Sequence, residues 1–340
     1  MTSPSPLRYP GGKTRFTKFI WEAILCSGKK ADVFVEPFCG GAGAAVSLLK
    51  TGRVERIALN DVDPLIASFW KVVLGKSCKT RRDVDWLIRS IEQAEFSVDE
   101  WRNQKALQPN SIRAAAWKCL YLNRTSFNGI LHKAGPIGGW NQENRTLDVR
   151  FNQEKLILKI QELFDLRNQV DCVGNINWKK FCSNYRNRKG AYLYLDPPYY
   201  HKAEQLYGHL FNEKQHNQLK DFLMGLIVPW MLSYDDAPEV RALYDKLPGI
   251  DGRVIDQTYS ANPIGGASFI GRELFFSNRS LPVSQLQQEP KQHIGLTVLG
   301  KLSAVASEIS GPVRTPVSQL EISFNNRKAP SEGVLNPKML

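Results

Sequence analysis

Apolar and polar positions along the chain alternate between two periods. Short apolar runs at Val33–Glu36, Arg56–Leu59, Val170–Val173, Ala191–Leu195 and Ile227–Leu232 read as buried strands. Between them, apolar residues recur at helical spacing. Phe16, Phe19, Ile20, Ala23 and Ile24 form one such stripe, and Leu156, Ile157, Ile160, Leu163 and Phe164 another. Helices are likewise predicted over 44–49, 63–74, 178–184, 212–226 and 237–247, with His216 solvated or capping. Strand and helix in alternation predict a mostly parallel sheet covered on both faces. Arg253–Tyr259 and Glu273–Ser277 suit an antiparallel hairpin that closes it, and the Gly265-Gly266 link reads as a mobile loop. The rhythm breaks between residues 76 and 150. That stretch is more basic and helix-like at 112–122, and it then offers two short strands around a Gly-Pro-rich turn, a finger spanning Asn123 to Asn141. Trp101, Trp117 and Trp140 are assigned to the core. After Ser280 the composition shifts to Gln, Ser and Pro, and Pro-Val-Ser-Gln-Leu occurs at both 282–286 and 316–320, as expected by coincidence in a biased, flexible tail. The organisation is therefore a discontinuous α/β domain (1–75 and 151–280), an inserted module (76–150) and a tail (281–340).

Composition narrows the class. With 340 residues, 42% of them hydrophobic, the chain can bury a full core. It has no run of ~18 apolar residues to span a bilayer and no signal-peptide pattern at its start, so a cytoplasmic protein is expected. Six cysteines lack any C-x-x-C pair and five histidines lack metal-ligand spacing, so neither a disulfide framework nor a metal is expected. Lys and Arg exceed Asp and Glu by 45 to 33, a net +12, which favours a polyanionic partner such as nucleic acid. Gly11-Gly12-Lys13-Thr14 invites a phosphate-loop reading that fails, because Leu7 stands where that loop needs its first glycine and no strand precedes it.

Candidate chemistry gathers at the ends of three predicted strands. Asp196-Pro197-Pro198-Tyr199 ends the most apolar of them. The prolines stiffen the turn and leave carbonyls free to accept, Asp196 adds a carboxylate, and Tyr199 adds a flat face for a planar ring. Such a pocket suits an aromatic ring bearing an amine; a strand end with a solvated acid is the alternative. Pro37-Phe38-Cys39-Gly40-Gly41-Ala42-Gly43 follows another strand and precedes a helix, as in nucleotide-binding sheets, and Asp61 stands at the next strand's end where a ribose diol would lie. Glu36, at the mouth of the glycine loop, would repel a pyrophosphate but accept from an amino group. This favours S-adenosylmethionine over a nicotinamide dinucleotide. In the finger, Arg124, Asn128, His132 and Lys133 are side chains of the kinds that read base edges, and Phe127 is one that can wedge into an opened base step. A solvated hairpin is the plainer reading of the same residues.

Four stretches in this order resemble one family. Arg8-Tyr9-Pro10-Gly11-Gly12-Lys13, Glu36 to Gly43, Tyr121 to Gly129 and Asp196 to Tyr199 are similar to the motifs of the Dam-type DNA adenine methyltransferases, and Asn60-Asp61, Leu232-Ser233-Tyr234 and Glu273 to Asn278 also fit. The resemblance covers most of residues 7–280. It implies a Rossmann-like methyltransferase sheet with a closing antiparallel hairpin and an inserted, mainly helical target-recognition module bearing a β-hairpin. It implies methyl transfer from S-adenosylmethionine to a flipped-out adenine in double-stranded DNA, without a metal. Tyr9, Lys13, Asp61 and Asp196 would then contact the cofactor, with Glu36, Phe38, Gly40, Gly41 and Gly43 from the glycine loop. Asp196, Pro197, Pro198 and Tyr199 would form the catalytic turn. A bacterial or phage-encoded, nucleoid-associated protein is implied, a monomer or weak dimer, with room for a cognate restriction endonuclease. Dam-type enzymes specific for GATC carry an arginine shortly after the Asn-Gly of the hairpin, where this chain has His132, so GATC recognition does not carry over. Two rivals stay open: an RNA or protein methyltransferase, although protein-glutamine enzymes carry Asn where Asp196 stands, and a catalytically silent DNA-binding protein.

Overall fold

The structure, a computed structural model, describes residues 3–9, 11–28, 30–77, 79–143, 145–201, 211–259 and 269–283. The Gly265-Gly266 link and the tail from residue 284 onward lie outside the described residues. In chain order the elements are α1 (Thr17–Cys26), β1 (Val33–Glu36), α2 (Gly43–Lys50), β2 (Arg56–Asn60), α3 (Pro64–Leu74), α4 (Thr80–Glu92), α5 (Val98–Ala106), α6 (Ile112–Thr125) and α7 (Gln153–Asp165). They continue with β3 (Val170–Gly174), α8 (Trp178–Ser183), β4 (Ala191–Leu195), α9 (Glu213–Met224), β5 (Trp230–Asp235), α10 (Pro238–Tyr244), β6 (Asp251–Tyr259) and β7 (Phe269–Ser277). The strands join in one sheet of order β3-β2-β1-β4-β5-β7-β6. The first five run parallel, and β7 is antiparallel to both β5 and β6. Order reverses between β1 and β4, and at such a switch point the strands' carboxyl ends open a crevice.

Alternation along each strand divides the interior in two. Phe34, Ile57, Leu59, Tyr192, Tyr194 and Phe275 face the core shared with α1 to α7. Val33, Val35, Ala58, Leu193, Leu195, Leu232 and Phe276 face the core shared with α8 to α10. Helix α3 starts where its sequence says it should, with Asp63 Oδ1 accepting from Leu65 N at 2.9 Å and Pro64 in the first turn. Strand β5 begins at Trp230, later than its apolar run, because Pro229 interrupts the run and Ile227 is exposed.

The inserted segment is mainly helical, but it has no separate core. Leu120, Tyr121 and Leu122 of α6 are fully buried in the same cluster as Ile66 and Trp70 of α3. The hairpin has minimal length: a single antiparallel bridge joins Ser126 to Pro136, flanked by Phe127 N to Gly135 O at 3.0 Å and Ile137 N to Thr125 O at 2.8 Å. Two sequence expectations need correction. His216 is neither solvated nor the cap, a role Asn212 fills; it lies on the inner stripe of α9 with Leu219 and Leu223 and is 1% exposed. Trp101 is buried as expected, but Trp140 is 55% exposed. An isolated tryptophan in a glycine-rich turn has no periodicity to declare which way it faces.

Candidate active site

The crevice at the switch point is lined by residues from four separate stretches: Tyr9, Gly12 and Lys13; Glu36, Phe38, Cys39 and Gly41 to Ala44; Asp61 to Asp63; and Tyr194, Asp196 and Pro198. Asp196 therefore shares one cavity with Gly41 and Asp61.

The N-terminal motif stitches this cavity together. Its Tyr9 ring lies on the glycine loop so closely that a Cβ at Gly40, whose φ is +44°, would fall 2.6 Å from the ring. Further along the motif, a Cβ at Gly11 would meet the Tyr199 hydroxyl at 2.4 Å. Glycine is thus required for protein-protein approach, a reason the sequence did not disclose. Lys13 follows, only 4% exposed, its Nζ 2.8 Å from Asp196 Oδ1, 3.0 Å from Glu273 Oε1 and donating to Gly11 O at 3.0 Å. Burial alone would lower this ammonium's pKa, but the Asp196 and Glu273 carboxylates outweigh it and hold the group well above the ordinary lysine value.

Asp196 is positioned through one oxygen. Ser233 Oγ donates to Asp196 Oδ1 at 2.8 Å, so the Tyr194 hydroxyl, 2.9 Å from Ser233, acts as donor to it in turn. Because Lys13 lies against the same Oδ1, Oδ2 is left without a protein partner among the described residues. The side chain, 24% exposed, borders the cavity. Pro197 is buried and Pro198 and Tyr199 half-buried at the rim, with Lys13 Nζ 5.3 Å from the Tyr199 ring centre. Behind the turn, Tyr200 stacks on His216 at 4.5 Å, and His216 Nδ1 lies 2.6 Å from the Tyr234 hydroxyl. Burial drives that imidazole down to about 4, so it is neutral at physiological pH.

The remaining acids behave differently from surface carboxylates. Asp61 Oδ2 accepts from Gly40 N at 2.8 Å and Oδ1 from Asp63 N at 2.9 Å, so it also fixes the glycine loop. Burial nevertheless pushes its pKa up to about 7. Burial, reinforced by the Asp196 charge, holds Glu36 well above the carboxylate range, and its Oε2 is buried without a partner among the described residues. Glu273 is likewise raised to about 7 by burial, against the pull of Lys13. Phe38 packs between Trp178 and Phe211 at 6.0 and 5.8 Å and forms one wall.

The finger's candidates part company. Phe127 and Asn128 are exposed, and Asn128 holds a left-handed φ of +54° at the tip. Arg124 turns inward and donates to the carbonyls of Pro6 and Arg150, burial lowering its pKa to about 10. His132 Nε2 lies 2.6 Å from Asp63 Oδ2, which ties the finger to the cavity's edge, and Lys133 beside it is exposed. Sequence reading gave no role to Asn123. Fully buried, it accepts from Arg8 N at 2.7 Å and donates to Arg8 O at 2.5 Å and Gly129 O at 3.0 Å, clamping the N-terminal motif to the finger. Among the described residues no cluster of His, Cys, Asp or Glu is arranged to hold a metal ion, and no helix is long and apolar enough to cross a membrane.

Sheet order, switch-point cavity and strand-end acids together define a Rossmann-like methyltransferase. A family model for the D12 class N6 adenine-specific DNA methyltransferases matches residues 9–258, and the chain belongs to that family. It is an adenine-specific DNA methyltransferase. No curated protein matches it.

Proposed function

We propose that this chain methylates the exocyclic amine of an adenine turned out of double-stranded DNA, with S-adenosylmethionine as donor. The observation that carries the proposal is the Asp196 carboxylate, which borders the glycine-loop cavity, is anchored at Oδ1 by Lys13 and Ser233, and has no partner at Oδ2 among the described residues.

The residues of the cavity fit that donor. Four acids, Glu36, Asp61, Asp63 and Asp196, line it against one lysine among the described residues, and that lysine is already paired. The lining therefore offers a pyrophosphate no free counter-charge, and its carboxyl oxygens suit an amine and a diol. The unpartnered Glu36 Oε2 is an acceptor for an ammonium or amino group, and Asp61 for a ribose hydroxyl. S-adenosylmethionine supplies an electrophilic methyl group on a sulfonium.

The chain's own residues do the rest. An adenine amine is a poor nucleophile because its lone pair is delocalised into the ring. Asp196 Oδ2 and the Pro197 carbonyl accept hydrogen bonds from its two N–H groups and draw them out of the ring plane, which localises the lone pair. In the transfer the N6–carbon bond would replace the methyl–sulfur bond, with S-adenosylhomocysteine as leaving group and the surplus N6 proton released to solvent. Tyr199 offers a face on which the extruded base stacks, recovering part of the few kcal/mol that extrusion costs. Holding both reactants in line supplies much of the remaining acceleration.

The raised Asp61 pKa sets a pH dependence. A diol donates best to an ionised carboxylate, so affinity for S-adenosylmethionine is expected to rise as pH increases through about 7 and to level off above it. Asp61→Asn should bind more weakly and lose that rise; a wild-type affinity flat from pH 5.5 to 8.5 by calorimetry would detach Asp61 from the ligand.

Duplex binding tests the nucleic-acid half. With a net charge of +12, several phosphate contacts are expected, and the log of affinity should fall linearly with log salt, losing roughly tenfold or more between 50 and 200 mM. A salt-independent affinity would refute phosphate contact. Methylation profiling of a host expressing the chain identifies the target sequence, and a profile other than GATC is expected from His132 standing where GATC-specific relatives carry arginine.

A further inference from the structure

Trp140 breaks the usual burial of large aromatic residues. It is 55% exposed on the second arm of the finger, while Phe127 on the first arm is 56% exposed. Exposed aromatic rings on both arms of one finger are available to nucleobases.

The surroundings of Trp140 hold it outward. Behind it Trp101, 4% exposed, meets it edge to face at 5.7 Å. Trp101 is itself fixed, its Nε1–H donating to Ser126 Oγ at 3.1 Å. Arg102 lies 5.1 Å from the Trp140 ring centre and is held by Asp99 at 2.9 Å. The turn that carries the indole is locked as well. Gln142 adopts a φ of +54°, which a non-glycine residue keeps only where its surroundings enforce it, and its Nε2 donates to Ile137 O at 2.7 Å and Gly139 O at 2.6 Å. Gly138 has a φ of +81°, and a Cβ there would fall 1.9 Å from the Arg145 carbonyl oxygen. Lys105, one turn beyond Trp101, donates to Leu131 O at 2.7 Å and binds the finger to α5. A strained turn, a buried backing ring and a guanidinium at the ring are more than is needed to close a surface loop.

We infer that Trp140 is a second DNA-contacting aromatic, which stacks on a nucleobase that loses its neighbour when the target adenine leaves the helix. This rests on the duplex-DNA reading of the same enzyme. Every base has a flat π face, so an indole serves any sequence, whereas edge-reading side chains on the first arm serve one. Pre-organisation matters because a ring already held in place loses little freedom on binding. Arg102 lies over the indole at 5.1 Å and backs it by a cation–π contact.

The test uses the full chain as wild type, Trp140→Ala and Trp140→Phe. Affinity is measured for a duplex carrying the sequence that the wild type methylates, with S-adenosylhomocysteine present, and S-adenosylhomocysteine affinity is measured separately. Trp140→Ala is expected to bind the duplex about tenfold or more weakly, the scale of one lost base stack, with a larger rise in KM for DNA than fall in kcat. Trp140→Phe should recover most of the loss, and S-adenosylhomocysteine affinity should stay within twofold in both variants. Duplex affinity within twofold of wild type in Trp140→Ala overturns the inference. So does an equal loss of S-adenosylhomocysteine affinity, which would mark a folding role. If the wild type itself neither binds nor methylates duplex DNA, the reading of the site fails first and this inference falls with it.

Discussion

Asp196→Ala should retain duplex binding and lose methyl transfer by at least ~10²-fold, the scale of removing one polar group aimed at the reacting centre. The reason lies in the division of labour between its oxygens. Oδ1 is occupied by Lys13 and Ser233, each at 2.8 Å, so the geometry of the side chain is set by the protein. Oδ2 has no such duty and is left to accept from the substrate amine. Asp196→Asn is the sharper variant, because it keeps size and replaces an acceptor pair by one acceptor and one donor. Its single-turnover rate should also fall, while duplex affinity in filter binding stays near wild type. Turnover within a fewfold of wild type in either variant would remove Asp196 from the chemistry.

Lys13→Met should cost about 3–5 kcal/mol of folding free energy, because it leaves two mostly buried carboxylates facing each other without their shared cation. The effect has a pH signature with a definite sign. Without Lys13, Glu273 loses the attraction that now opposes its burial, so its folded pKa rises further above its unfolded value of about 4. A group whose folded pKa is raised takes up a proton on folding, so the variant's stability is greatest at low pH and declines as pH rises through the folded pKa. Adding Glu273→Gln should return much of the stability at pH 8. It should not return methyl transfer, since Asp196 keeps Ser233 but still lacks the lysine that fixes Oδ1 from the other side. Chemical denaturation at pH 5.5 and 8 reads both effects, and a single variant as stable as wild type at pH 8 would show that the cluster is not coupled as described.

What could be read from the chain beforehand was what short-range pattern encodes. Val33–Glu36, Arg56–Leu59 and Ala191–Leu195 declare themselves as strands by their apolar runs, and the acids Asp61 and Asp196 by standing just beyond them. Because parallel strands bring their carboxyl ends to one edge, these acids had to converge. The partners that hold them were hidden by distance along the sequence. Glu273 reaches Lys13 only because β7 folds back antiparallel onto β5; the fit of Glu273 to Asn278 to the family's motifs marked the stretch without naming its partner. Ser233 belongs to β5, next to β4 in the sheet, and its value depends on a register no local signal fixes. Arg124 reads as a DNA contact by type, yet its position at the end of α6 aims it at the Pro6 carbonyl. Trp140 was misplaced because one aromatic in a glycine-rich turn makes no periodicity, and His216 because its residue type was weighed above its place on the stripe with Leu219 and Leu223.

The most direct measurement incubates the purified chain with methyl-labelled S-adenosylmethionine and, in separate reactions, duplex DNA, RNA and protein from the same host, followed by digestion and separation of the products. Label recovered from the duplex as N6-methyladenine, absent from the RNA and protein reactions and lost with Asp196→Ala, is the predicted result. Label on RNA or on a protein side chain, or N6-methyladenine formed equally well by Asp196→Ala, would contradict it.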